Sequence, residues 1–164
     1  MSDKPLPIDR ILSLLSATPP RIGELTGGLE PAQLHTPPGQ NEWSLNDVLA
    51  HLRACGQVWG GYIRTILAED RPTIRAVSPR TWIKQTDYLE QEFRPSFHAF
   101  ARQRAELLTI LHALPPESWS RVARVIAVGR DYERSVLDYA DRLARHERGH
   151  VRQIENIVNT IRGL

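Results

Sequence analysis

The chain has 164 residues, enough for one domain with a core of its own and short for two. Its 21 Lys and Arg stand against 19 Asp and Glu, a formal net charge of +2, so the surface is of mixed charge and lacks the one-sided basic field of a nucleic-acid binder. A single cysteine, Cys55, excludes an intramolecular disulfide, and no signal-peptide core or membrane-length apolar run is apparent, so the expectation is a cytosolic protein without membrane partners.

The first segment carries Ile8, Ile11, Leu12, Leu15, Ile22, Leu25 and Leu29 at helical spacing. Pro19 and Pro20 interrupt it and remove two backbone donors, which predicts a kink. Leu15 and Ile22 are seven apart, so the apolar face keeps its phase and one kinked helix is expected, not two. EPAQLHTPPGQNE reads as a loop. Ser44 and Asp47 form a capping-box pattern that opens the second helix, with Trp43 placed to pack on Val48. Leu45, Val48, Leu52, Cys55, Trp59, Tyr62 and Ile66 form its stripe, and Arg71-Pro72 ends it near Glu69.

Residues 70–86 read as an irregular connection. Phe93, Phe97, Phe100, Leu107, Leu111 and Leu114 mark a third helix, and PPESW breaks it. RVARVIAVGRDY is the only β-leaning stretch and is taken as an extended excursion, not a sheet. Ser135 and Asp138 repeat the capping box and open a last helix running to about Arg162. Four long amphipathic segments predict an all-α fold, a four-helix bundle occupying residues 1–164 as one domain. Its connections at 70–86 and 115–134 are long enough to allow a topology other than simple up-down-up-down.

The chemistry concentrates in RHERGHVRQI. His146 and His150 are four apart on a helix, so both imidazoles leave one face, the spacing at which two ring nitrogens bind one metal ion. The stretch matches HExxH, yet a zinc-protease reading fails on its third ligand. The positions where the extended motif needs Gly and His hold Gln153 and Asn156, and only fourteen residues follow His150. The pair lies on the inward stripe, where an unpartnered imidazole costs a few kcal/mol, so water, a hydrogen-bond network or a metal must satisfy it. His51, on the edge of the second helix's stripe, is the best-placed third ligand; His35, His98 and His112 fit less well. Spacing alone leaves a metal site and a satisfied core pair both open.

EWSLNDVLAHLRACGQVWGGYIRTILAEDRP, followed by YERSVLDYADRLARHERGHVRQI, resembles the DinB superfamily of metal-binding four-helix bundles. The resemblance rests on Trp43-Ser44, His51 seven residues after that Ser, and His146, His150 and Gln153-Ile154, and runs from about Ile8 to Ile157. It implies a divalent ion, zinc or nickel, held by His51, His146 and His150, and a homodimer. It also implies a thiol-using transferase or related enzyme, with a low-molecular-weight thiol and a small electrophile as partners. The alternatives are a non-catalytic metal- or small-ligand-binding bundle, and a dimeric interaction module with a structural His network. Glu147 is a candidate proton acceptor for a metal-bound water, or else a helix acid paired with an Arg such as Arg148 or Arg152. Trp59, Tyr62, Tyr139 and Arg142 are candidate pocket residues, and Cys55, four after His51, is either core, a fourth ligand or a thiol near the ion.

Overall fold

Ser44 and Ser135 each begin a long helix by the same device. In a computed structural model that describes residues 4–164, Ser44 Oγ accepts from the Asp47 amide at 3.1 Å while the Asp47 carboxylate accepts from the Ser44 amide at 2.9 Å. Ser135 and Asp138 repeat this at 3.0 and 2.8 Å. These capping boxes satisfy amides that a helix start leaves orphaned. They fix the beginnings of α3 (Leu45–Ala68) and α6 (Val136–Ile161), as the sequence predicts.

The other two long helices are α1 (Ile8–Thr26) and α5 (Phe93–His112). α1 passes Pro19 and Pro20 as one helix, with Leu15 and Ile22 both buried. Pro19 has no N–H to give the Leu15 carbonyl one turn back, and Arg104 of α5 donates to that carbonyl at 3.1 Å instead. α1 and α3 each pack on both α5 and α6. Consecutive long helices α1 and α3 are therefore diagonal neighbours, which the long connections permit.

All-α is only an approximation to the fold. Pro31–His35 forms a short helix, α2, where a loop was expected, with Pro31 at its start and Glu30 and Gln33 as capping box. Pro79–Trp82 forms a further short helix, α4. The β-leaning stretch belongs to a sheet of order β1-β2-β3: β1 (Thr73–Arg75) pairs parallel to β2 (Val122–Ala127), which pairs antiparallel to β3 (Arg130–Ser135). Gly129, at φ +70°, supplies the left-handed residue of the tight β2–β3 turn. Ile74, Ala123 and Val125 are buried against the ends of α3 and α5, and this gives the strands a reason to form.

The core has two apolar halves. One joins the sheet to Ile11, Leu15, Ile63, Leu107 and Leu143. The other holds Ile22, Leu49, Phe93, Phe100 and Ile154. Between them each long helix contributes a buried polar group: Thr18 from α1, His51 from α3, Arg104 from α5 and Glu147 from α6. Arg104 and Glu147, 2% and 1% exposed, form a two-pronged ion pair, with Nη1 donating to Oε1 at 2.6 Å and Nη2 donating to Oε2. Removing one member strands the other charge in the core. Glu147→Ala is expected to cost about 3–5 kcal/mol in urea denaturation, and Glu147→Leu combined with Arg104→Met to recover most of it. A single-variant loss below about 1 kcal/mol would contradict the role assigned to this pair.

Candidate metal centre

The same polar layer brings His51, His146 and His150 together. α6 sends out His146 and His150 one turn apart, and α3 presents His51 to them. His146 Nε2 lies 3.1 Å from His51 Nε2 and 3.0 Å from His150 Nε2. An imidazole nitrogen carries either one proton or one lone pair, in the ring plane. His146 Nε2 therefore cannot serve both neighbours fully by hydrogen bonding, whereas one cation among the lone pairs can. Cys55 lies beside the His51 ring, its Sγ 3.6 Å from Nε2 and 3.9 Å from Nδ1, and His51, Cys55 and His146 each offer an atom within 4.8 Å of the others.

Aromatic residues fix the rings. Trp43 meets His51 edge-on at 5.2 Å and stacks on His150 at 6.3 Å, and Trp59 meets His146 edge-on at 5.1 Å. Gln153 Oε1 lies 2.7 Å from His150 Nδ1, so that nitrogen donates and Nε2 keeps its lone pair toward the cluster. His146 Nδ1 is buried without a partner among the described residues.

Burial, then the neighbouring His150, then Arg80 hold His51 down at about 4. Burial, His150, His51, Arg142 and Arg80 hold His146 at about 3. Both rings are thus neutral at physiological pH, the state a metal ligand needs. Burial, reinforced by Glu147, pushes the Cys55 thiol up to about 12. The donor set suits zinc, cobalt or nickel and not magnesium or calcium, which prefer oxygen.

Two clefts open beside the cluster. One of about 770 Å³ is lined by residues including Trp43, Arg80, His150 and Gln153. The other, of about 390 Å³, is lined by Trp43, Asp47, His51, Arg80, Ile83, Lys84 and Leu89. They share Trp43 and Arg80, the latter carried by the segment after β1. That segment is held to α3 by Asn46 Nδ2, which donates to the Leu89 and Gln91 carbonyls, and by Tyr62 Oη, which accepts from the Val77 amide at 2.7 Å.

The remaining predicted residues divide. Glu147 is committed to Arg104: the paired-acid reading describes it, with a partner on α5 and not Arg148 or Arg152, and both oxygens are occupied. Arg142 lies over Trp59 at 5.3 Å, beside the cluster. Tyr62 packs on Tyr139 and anchors the cleft wall. His35 accepts from the Phe93 amide at 3.3 Å, away from the cluster. Sequence reasoning missed Arg80, which lines both clefts and lies 5.2 Å from the Trp43 ring centre; nothing in an irregular connection marks it. It also missed Arg104, although Phe100, Arg104, Leu107 and Leu111 keep unbroken helical spacing. A charge filling a gap in an apolar stripe calls for a buried counter-charge, and Glu147 is the acid on the facing stripe.

The family model described as the DinB superfamily matches residues 14–154. Among solved structures the fold is similar to that of YfiT from Bacillus subtilis, described as a probable metal-dependent hydrolase with an unusual four-helix bundle topology. The TM-score is 0.80 at 16% identity, over 96% of this chain and 90% of that one. No curated protein matches.

The lowered imidazoles give a pH test. Between the ordinary value of 6.5 and about 4, the unfolded chain binds protons that folded His51 and His146 refuse. Stability of the chelator-treated protein is therefore expected to be intact above that window and to decline as pH falls through it. His146→Asn is expected to reduce the decline, read as the thermal midpoint from pH 7 to 4; identical slopes in the two proteins would contradict the buried neutral state.

Proposed function

Because the chain belongs to the DinB superfamily, we propose that it is a metal-dependent enzyme whose His51, His146 and His150 hold one divalent ion, zinc or nickel. The approach of His51 Nε2 and His150 Nε2 to within 3.1 and 3.0 Å of His146 Nε2 carries this reading. A divalent ion held by neutral ligands supplies Lewis acidity and lowers the pKa of a bound thiol or water. We take the substrate pair to be a low-molecular-weight thiol and a small electrophile. The thiol loses its proton to solvent, its sulfur forms the new bond to the electrophile's carbon, and the leaving group departs with the electron pair of the broken bond.

The protein's part is to bind, orient and exclude water. Gln153 holds His150 in the tautomer that turns Nε2 to the ion. Trp43 and Trp59 restrict the rings, and Trp43 also lines both clefts. Arg80 and Lys84 on the cleft wall suit a substrate with an anionic end. The carboxylates favour thiol chemistry over hydrolysis. Glu147 is tied to Arg104 and Asp47 accepts from the Ser44 amide, whereas water attack generally calls for a base and a bound thiolate does not. The description of YfiT as a probable metal-dependent hydrolase supports the second reading, water activation at the same ion.

Untagged protein is expected to carry close to one equivalent of divalent metal. His51→Ala, His146→Ala and His150→Ala are each expected to lose it in equilibrium dialysis with the helices intact by circular dichroism. His35→Ala and His98→Ala are expected to retain it. Gln153→Leu is expected to weaken binding by roughly 10- to 100-fold. Assays of thiol transfer to a panel of electrophiles, with and without chelator, then separate the functions. Metal-dependent transfer supports the proposal, metal-dependent hydrolysis alone replaces it with the second reading, and metal without turnover makes the protein a binding module. Metal retained equally by wild type and His146→Ala would leave a structural His network.

A further inference from the structure

We infer that the thiol that meets the ion carries a carboxylate, and that Arg80 holds this carboxylate where the two clefts meet. This rests on the three-imidazole reading above and names the class of thiol that the site takes.

A divalent ion held by three neutral imidazoles keeps its full charge. A guanidinium beside it repels it, so an arginine there works against the ion unless an anion lies between the two charges. Arg80 has that position. Its guanidinium carbon lies 5.2 Å from the centre of the Trp43 ring, which stacks on His150 at 6.3 Å. Arg80 is the one charged residue that lines both clefts, the larger walled also by His150 and the smaller by His51. Its charge reaches the rings, as one of the lesser causes that keep protons off His51 and His146.

An exposed arginine is most often a solvated charge or half of a surface ion pair. Arg80 forms no ion pair among the described residues, although Glu42 and Asp47 each line one of its clefts. Asp47 accepts from the Ser44 amide instead. Nor is the segment that carries Arg80 loose. Asn46, only 2% exposed, donates to the Leu89 and Gln91 carbonyls on one side of it, and Tyr62 accepts from the Val77 amide on the other. The guanidinium is thus held over Trp43 with its planar fork of donors unspent, the geometry that matches one carboxylate.

The other cations are less well placed. Arg142 lies over Trp59 and lines neither cleft, Lys84 lines only the smaller and Arg152 only the larger. A thiol with a carboxylate supplies both missing charges, the thiolate for the ion and the carboxylate for Arg80.

Zinc-loaded, untagged full-length protein, its metal content measured first, is titrated calorimetrically with mercaptoacetate, mercaptosuccinate and the neutral mercaptoethanol. Wild type is expected to bind the two carboxylates more tightly. A carboxylate can also reach the ion itself, so the deciding quantity is how that preference changes on substitution. Arg80→Gln is expected to reduce it about tenfold, and Arg80→Lys to keep part of it. A preference unchanged in Arg80→Gln, or reduced as much in Lys84→Gln, overturns the inference and leaves the three-imidazole centre standing. Zinc-loaded protein that binds none of the three, or binds mercaptoethanol best, overturns it likewise. No zinc uptake, or uptake undiminished in His146→Ala, overturns the centre and the inference with it.

Discussion

Three imidazoles turned toward one another halfway along a helix bundle impose the constraint that the rest of the structure serves. His51 is buried and His146 and His150 are half-buried, and a proton on one ring raises the cost of a proton on the next. Burial first, and the neighbouring rings second, hold His51 and His146 neutral, and Gln153 leaves the His150 Nε2 lone pair turned toward His146. His146 Nε2, 3.1 and 3.0 Å from its two neighbours, is where hydrogen bonding runs out of capacity. A cation solves the problem that protons leave.

The frame that holds this arrangement is polar as well. Glu147 follows His146 on α6, and its ion pair with Arg104 sets how that helix is turned. Arg104 also takes up the Leu15 carbonyl that Pro19 leaves free, so α1, α5 and α6 meet at one guanidinium. Fixing the rotation of α6 directs His146 and His150 toward α3. Two prolines in α1, which look like a defect in the sequence, thereby provide an acceptor that helps to orient the centre.

Much of this was legible because it follows from period and capping. His146 and His150 share a face by their spacing, His51 stands at the edge of a stripe, and Ser44 and Ser135 mark the starts of the helices that carry them. What escaped depends on tertiary contact. β3, Arg130–Ser135, has no alternation of apolar and polar residues and becomes a strand only because β2 lies beside it. β1 is three residues long and is fixed by the burial of Ile74. Arg80 owes its importance to where the chain folds back over Trp43. The two readings of Glu147, proton acceptor or paired acid, stayed open because its partner lies 43 residues away in sequence.

Metal-edge X-ray absorption on zinc-loaded protein bears most directly on the centre, because it counts ligands by element and distance. A shell of imidazole nitrogens at about 2.0–2.1 Å, with outer scattering from three rings, is the expected result. A shell of oxygen atoms alone, or one with a single imidazole, would mean that the three histidines meet for a structural reason and not to hold an ion.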